Sequence, residues 1–373
     1  MVFVKSLVLQ NFRNFSETSF AFAPGANCLW GMNGAGKSNV LEAIFFAATG
    51  RPNKAGRDGE LIAFNEPIGR VEARVQKRGS ELILEAALER IENYSARKTL
   101  RFNKQPIRKL SELLGQVKVV LFTPQDEATV RGEPSFRRKF IDLALSQISS
   151  SYLHALQQYQ TVREQRNSLL KRPHSREELL PWNSQLIEAG SQVLFKRLSF
   201  LPQLSAIAKT IHAELSGGET LSLSYEGSFS VNPGNTLDEI QGAFERALLR
   251  TAEEESYRGM TLVGPHRDDI GILLDEKEAR LFGSQGQQKS IALSLKLAEG
   301  KIFAETDGEP PIYLLDDCFS ELDETRQEMV KAVFEPGSQS ILTFAFPPPP
   351  SLHDANTLKL ERRAEYAGIK GSD

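Results

Sequence analysis

Cysteine is scarce in this chain of 373 residues: only Cys28 and Cys318 occur, too few for a disulfide framework. Their placement in apolar stretches suits a reducing cytoplasm. Five histidines and two distant cysteines give no zinc-site spacing. No apolar run approaches the ~20 residues a membrane span needs, and the N-terminus lacks a signal-peptide core. No excess of positive charge is present either. The net charge is −3, so any contact with nucleic acid must come from local patches. There is no internal repeat, and the only biased stretch is Pro347 to Pro350. The hydrophobic fraction of 40% and charged fraction of 25% belong to ordinary globular proteins, and the length permits one large domain with an insert, or two domains.

Against this plain background one stretch stands out. Gly31-Met32-Asn33-Gly34-Ala35-Gly36-Lys37-Ser38 fits the G-x-x-x-x-G-K-[ST] phosphate-binding pattern. The run Ala26 to Trp30 before it reads as a buried strand, and Asn39 to Ala48 after it as a helix with a broad apolar face. In that context the glycines let backbone N–H groups curl around phosphate oxygens at a helix N-terminus. Lys37 is expected to reach the β- and γ-phosphates, and the Ser38 hydroxyl to ligate Mg²⁺. A chance glycine-rich turn would not carry both flanks.

Pro311 to Leu315 is an apolar strand ending in Asp316 and Asp317, the Walker B arrangement. Asp316 is expected to hold Mg²⁺, and Asp317 to orient or deprotonate an attacking water. Ser284-Gln285-Gly286-Gln287-Gln288-Lys289 opens a helix upstream, and Ser320-Glu321-Leu322-Asp323 follows the Walker B strand.

Elsewhere the pattern predicts an opening strand over residues 1–10, a second around Phe20 to Phe22, and a hairpin of 71–75 with 82–88. From Ser135 the periodicity turns helical, with breaks at Pro173 and Pro202, as two or three long helices. Strand-like composition returns at Thr220 to Tyr225 and at Thr261 to Val263, around a helix from Leu237. Residues 97–109 carry Arg97, Lys98, Arg101, Lys104, Arg108 and Lys109 with no acidic residue, a candidate DNA-facing surface or simply a solvated face. His266 and Arg267 beside Asp268 and Asp269 form a charge cluster with a nucleotide- or interface-related role as one reading.

The stretch at Ser284 resembles the signature of ABC-type ATPases, and Ser320 to Asp323 resembles their D-loop. Together with Asn11 to Phe15, Gly264 to Asp269, Gly132 to Asp142 and Gln165 to Lys171, these segments look like the RecF family, related to SMC and Rad50 heads. The resemblance runs from about residue 3 to about 325. It implies an α/β fold, an ABC-type P-loop ATPase head with an inserted helical arm. The expected divisions are 1–130 (head, first part), 131–256 (arm), 257–346 (head, second part) and 347–373 (an atypical tail). It also implies ATP and Mg²⁺ as cofactors, and a head-to-tail homodimer formed on ATP. Partners would be duplex or gapped DNA and the RecO and RecR proteins, with RecA loading at single-strand gaps and no membrane. ATP hydrolysis would be slow, a weak DNA-dependent activity that times release.

By position the resemblance places Gly31, Asn33, Gly34, Gly36, Lys37, Ser38, Asn39 and Arg13 on the nucleotide. Ser284, Gly286 and Gln287 would meet it from the second subunit, and Gln125 is the Q-loop candidate beside Lys37 and Asp317 in catalysis. One departure concerns the strand 340–346, where Ala345-Phe346 leads into four prolines and no switch histidine follows. Either Thr343 supplies the sensor or the site lacks one. Two alternatives therefore stay open: an ABC-type ATPase coupled to another partner, and a nucleotide-binding scaffold that does not hydrolyse.

Overall fold

The first strand, β1 (Phe3–Phe12), alternates buried and exposed side chains and pairs antiparallel with β2 (Phe15–Ala21). That second strand begins five residues earlier than its aromatic content suggests, because the turn at Arg13 and Asn14 sets the register Phe12↔Phe15. The computed structural model describes residues 1–53, 56–91, 95–317, 319, 327–328, 331 and 337–361. It divides into two compact units, residues 1–124 with 303–373, and residues 125–302. The second unit is broader than the arm expected over 131–256, and it includes the signature stretch.

In the first unit, β3 (Ala26–Trp30) leads through the glycine loop into α1 (Lys37–Thr49). Then β4 (Ile68–Lys77) and β5 (Ser80–Arg90) form the expected hairpin, followed by β6 (Ala96–Phe102), β7 (Gln105–Pro106) and the buried β8 (Val119–Phe122). Antiparallel pairing gives a six-stranded sheet of order β2-β1-β4-β5-β6-β7.

The second unit opens with α2 (Ala128–Arg131) and α3 (Pro134–Ile148), then α4 (Ser150–Leu170) and α5 (Arg176–Ser216). Pro202 does not break α5. It costs one helical hydrogen bond, but the apolar stripe through Leu194, Leu198, Leu201, Leu204 and Ala208 is buried on both sides of it. Three strands follow in part: β9 (Leu221–Glu226), then α6 (Leu237–Arg258), β10 (Asp269–Leu274) and β11 (Lys277–Glu278), in the order β11-β10-β9. Thr261 to Val263 is no strand, contrary to expectation. Its donors are spent on side chains instead: Thr261 N–H on Asn167 Oδ1 at 2.8 Å and Leu262 N–H on Glu255 Oε1 at 2.7 Å. The short α7 (Ala279–Phe282) precedes α8 (Gln285–Asp307), whose last residues belong to the first unit.

The chain then returns through β12 (Ile312–Leu315), β13 (Gln339–Phe344) and β14 (Asn356–Lys359). With β3 and β8 these make a five-stranded, all-parallel sheet of order β14-β3-β13-β12-β8. Strands β8, β12 and β13 are buried at every position; β8 and β12 are continuous apolar runs, as a parallel sheet favours, while β13 also buries Gln339, Ser340 and Thr343. Eleven residues of α1 are buried, because the helix contacts strands of both sheets of its unit. Residues 356–359, within the atypical tail, are an edge strand. Among the described residues no helix is long and apolar enough to cross a membrane.

Candidate nucleotide-binding site

The C-terminal ends of β3 and β12 lie in one parallel sheet, where open α/β folds place their ligands. Trp30 ends β3, and Gly36, at φ +101°, is the N-cap of α1. A Cβ on Gly36 would lie 2.6 Å from both the Asn14 amide and the Phe15 ring, so glycine is required there by space as well as by backbone. Asn14 Nδ2 donates to Ala35 O at 3.3 Å, and Asn39 Nδ2 donates to Asn14 Oδ1 at 2.7 Å. Asn39 thus braces the loop from its outer side. The Asn39 and Val40 N–H groups donate to Gly36 O at 2.9 and 3.1 Å, and the amides of Lys37 and Ser38 lead the helix at the end that suits an anion.

Lys37 folds back along the loop. Its Nζ donates to Gly31 O at 2.6 Å and Met32 O at 3.2 Å, contacts that hold the ammonium beside the helix N-terminus. Ser38 Oγ donates to Asp316 Oδ1 at 2.7 Å, joining residues 278 positions apart. Thr343 Oγ donates to the same oxygen at 2.9 Å and accepts from the Asp317 N–H at 2.9 Å. Asp316 N–H is fixed on Phe122 O at 2.8 Å. Asp317 itself is exposed and adopts φ +50°, a left-handed conformation that costs a non-glycine residue about 1–3 kcal/mol. The hydroxyl of Ser38 and carboxylate of Asp316 are hard oxygen donors set side by side. That pair fits Mg²⁺, which takes one or two protein oxygens and completes its shell with water and phosphate.

Arg13 was expected on the nucleotide. Instead its Nε and Nη2 bond both oxygens of Glu42, at 2.9 and 3.1 Å, and its Nη1 donates to Glu60 O. Glu42 is buried on α1, and a buried carboxylate needs a paired cation. Arg13 is that cation.

In the second unit, Ser284 and Gln287 cap α8 reciprocally: Ser284 N–H donates to Gln287 Oε1 at 2.8 Å, and Gln287 N–H to Ser284 Oγ at 3.3 Å. Gln287 Nε2 also donates to Glu219 Oε1 at 2.7 Å, a partner that sequence reasoning missed; the Gly-Gly-Glu ending of the arm was its only signal. Ser284 and Gly286 are exposed, and Leu281 and Phe282 beside them expose 65% and 69% of their surface. Gln125 is exposed in the turn Pro124–Glu127. The expected D-loop residues 320–323, and Cys318, lie outside the described residues.

The cluster at 266–269 is knitted into its own unit. His266 Nε2 donates to Thr261 O, so Nδ1 accepts from Tyr159 Oη at 2.6 Å and the ring is neutral. Burial, then the nearby Arg163, push its pKa down to about 3. Asp268 accepts from Tyr225 Oη and Ser228 N–H, and Asp269 holds Arg137 bidentately at 2.7 Å. Asp269 is thus paired with a cation, while the Asp268 carboxylate is held by neutral donors.

Along β6 the side chains alternate. Arg97 and Arg101 are exposed, as are Lys104, Arg108 and Lys109. Lys98 points the other way: it pairs with Asp58 at 2.8 Å, donates to Gly50 O and lies over the Phe46 ring. The outward patch therefore lacks Lys98.

Residues 3–345 match the family model described as RecF/RecN/SMC N terminal domain. A Symbiobacterium thermophilum protein named DNA replication and repair protein RecF is 40% identical over 345 residues, covering 92% of this chain and 91% of its own. The protein of that name from Halalkalibacterium halodurans is 39% identical, covering 91% and 92%. The chain belongs to the RecF family. A solved structure of the recombination mediator RecF with ATP, of the RecFOR pathway, superposes on this RecF-family chain with a TM-score of 0.89, 30% identity and coverage of 97% and 96%. An Smc head bound to the C-winged helix domain of ScpA, at 16% identity and TM-score 0.51, shares the fold.

Proposed function

We propose that this chain is an ATP-gated DNA-binding protein of recombinational repair. It dimerises on ATP, holds duplex or gapped DNA, and assists RecA loading at single-strand gaps together with RecO- and RecR-type partners. The observation that carries the reading is the junction of Ser38 with Asp316 at the mouth of the glycine loop. The likeness to RecF with ATP supports it.

On nucleotide binding, Lys37 exchanges its contacts with Gly31 O and Met32 O for the β- and γ-phosphates, and the first-turn amides of α1 take the remaining oxygens. Ser38 and Asp316 would hold Mg²⁺, which would supply neutralisation of phosphate charge. Asp317 orients the attacking water, its backbone fixed by Thr343. Ser284 and Gln287 of a second copy close over the γ-phosphate. Support for that closure comes from the exposed apolar groups at both ends: Met32 on the loop exposes 79% of its surface, and Leu281 and Phe282 flank the signature. Arg97, Arg101, Lys104, Arg108 and Lys109 offer an exposed cationic surface for phosphates.

Sedimentation with Mg²⁺ and ATP, with ADP, and without nucleotide tests the reading. A dimer only with ATP is expected. A monomer in all three, and again with gapped duplex added, overturns the clamp. A non-hydrolysing scaffold is the second reading, favoured by the engagement of Thr343, the sensor candidate, as a brace for Asp316 and Asp317. Phosphate release under single-turnover conditions separates the two.

A further inference from the structure

The long helix α5 ends in a turn that reaches the signature stretch. Gly217, at φ +78°, ends the helix, and the N–H groups of Gly217 and Gly218 both donate to Ala213 O. Ser216 Oγ donates back to His212 O at 2.7 Å and accepts from the Glu219 N–H at 3.1 Å. The next amide, Thr220 N–H, donates to Asp275 Oδ1 at 2.9 Å. The backbone of Glu219 is therefore fixed on both sides, which aims its half-buried side chain.

Both oxygens of that carboxylate are engaged. Oε1 accepts from Gln287 Nε2 at 2.7 Å, and Oε2 faces His212 Nε2 at 3.3 Å. On α8, Ser294 gives its hydroxyl proton to Ser290 O at 2.7 Å, so its oxygen accepts from His212 Nδ1 at 3.1 Å. His212 is fully buried, and one proton between its Nε2 and Glu219 Oε2 makes that contact attractive. The carboxylate also decides which way the Gln287 amide lies. With its NH₂ turned to Glu219, its oxygen takes the Ser284 N–H at 2.8 Å. A flipped amide would set oxygen against carboxylate and NH₂ against N–H. The series His212, Glu219, Gln287, Ser284 thus runs from the buried end of α5 to the exposed start of the signature.

We propose that Glu219, held by His212, is a positioning residue for the signature: it fixes the Gln287 amide, and through it Ser284, in the arrangement that meets the γ-phosphate of a second copy. The inference rests on the dimer reading above. Neither Glu219 nor His212 touches the nucleotide. Their effect is to order two side chains before assembly, so that the dimer does not bear that entropy.

The test reads three quantities on the full chain: dimerisation with Mg²⁺ and ATP, ATP affinity at concentrations where the protein is monomeric, and hydrogen exchange of the Ser284 N–H without nucleotide. Glu219→Leu removes the acceptor. It is expected to weaken dimerisation about tenfold or more and to speed Ser284 exchange, with ATP affinity within about twofold of wild type. Glu219→Gln still accepts from Gln287 and offers an amide proton to His212, so it is expected to restore dimerisation to within about threefold of wild type. Gln287→Ala is expected to dimerise as poorly as Glu219→Leu, and the double variant no worse than either. Unchanged dimerisation and exchange in Glu219→Leu overturn the proposal. So do additive losses in the double variant, or a Glu219→Gln protein as impaired as Glu219→Leu, since Glu219 would then act apart from the Gln287 amide. Wild-type protein that stays monomeric with ATP overturns the dimer reading instead, and the exchange comparison still decides whether Glu219 orders the signature.

Discussion

Thr343 is the residue on which the two acidic groups of the site depend. Its hydroxyl is shared between Asp316 Oδ1 and the Asp317 N–H, both at 2.9 Å, so it aims one carboxylate and holds the backbone of the other in a left-handed turn. Thr343→Val keeps the shape and removes both bonds. Hydrolysis is expected to fall about 10- to 100-fold while ATP affinity changes less than about threefold, since the loop is untouched. Single-turnover phosphate release beside equilibrium ATP binding reads this, and unaltered turnover would remove Thr343 from the mechanism. His266 makes a prediction about pH. Its folded pKa, about 3, lies below its ordinary 6.5, because burial and the cations Arg163, Arg267 and Arg138 disfavour the imidazolium. Between those values the unfolded chain binds a proton that the folded one refuses. Stability is therefore lost as pH falls from 6.5 toward 3, by at most about 1.4 kcal/mol per unit from this group. His212, also lowered by burial, acts in the same direction. His266→Gln is expected to be less stable than wild type at pH 7 yet to lose less between pH 7 and 5 in urea titrations. Parallel losses would assign the acid sensitivity elsewhere.

At the scale of elements, the strand β6 separates two kinds of lysine and arginine that look alike in sequence. Arg97, Arg101 and Lys104 are exposed, so reversing all three to Glu is expected to weaken DNA binding and flatten its salt dependence, with little change in thermal stability. Lys98→Glu acts oppositely: it sets a carboxylate against Asp58 inside the sheet's inner face and lowers stability first. An unchanged salt slope in the triple variant would take β6 out of the DNA surface. The same contrast explains what was legible. The loop from Gly31 to Ser38, its strand and its helix could be read because strand, turn and helix signals are contiguous. The pattern of β12 could be read because a buried parallel strand is a solid apolar run. The pairing of Arg13 with Glu42 was not legible, because its partner is 29 residues away and no local pattern announces the pair. Pro202 was misread because a local breaker was outweighed by burial contributed from other helices. The strand β14 was missed because Asn356 to Lys359 earns its conformation only from β3, more than 300 residues earlier.

For the whole molecule, the proposed cycle separates binding from assembly. Lys37→Met removes the cation from the loop and is expected to abolish ATP binding and dimerisation together. Ser284→Arg leaves the loop intact while placing a large cation at the exposed N-terminus of α8, where it crowds a second subunit. It is expected to retain ATP and remain monomeric. A Ser284→Arg protein that still dimerises with ATP would refute the action of the signature across subunits.

The sheet order β14-β3-β13-β12-β8 also bears on how the chain comes into being. Strand β3 is made before the second unit, but both of its neighbours lie beyond residue 338. The second unit, residues 125–302, is complete long before them. During translation β3 therefore waits with both edges unpaired while a whole helical unit is made. Its companions are made only after that unit, so the ability to hold nucleotide is acquired later than the folding of the helical unit.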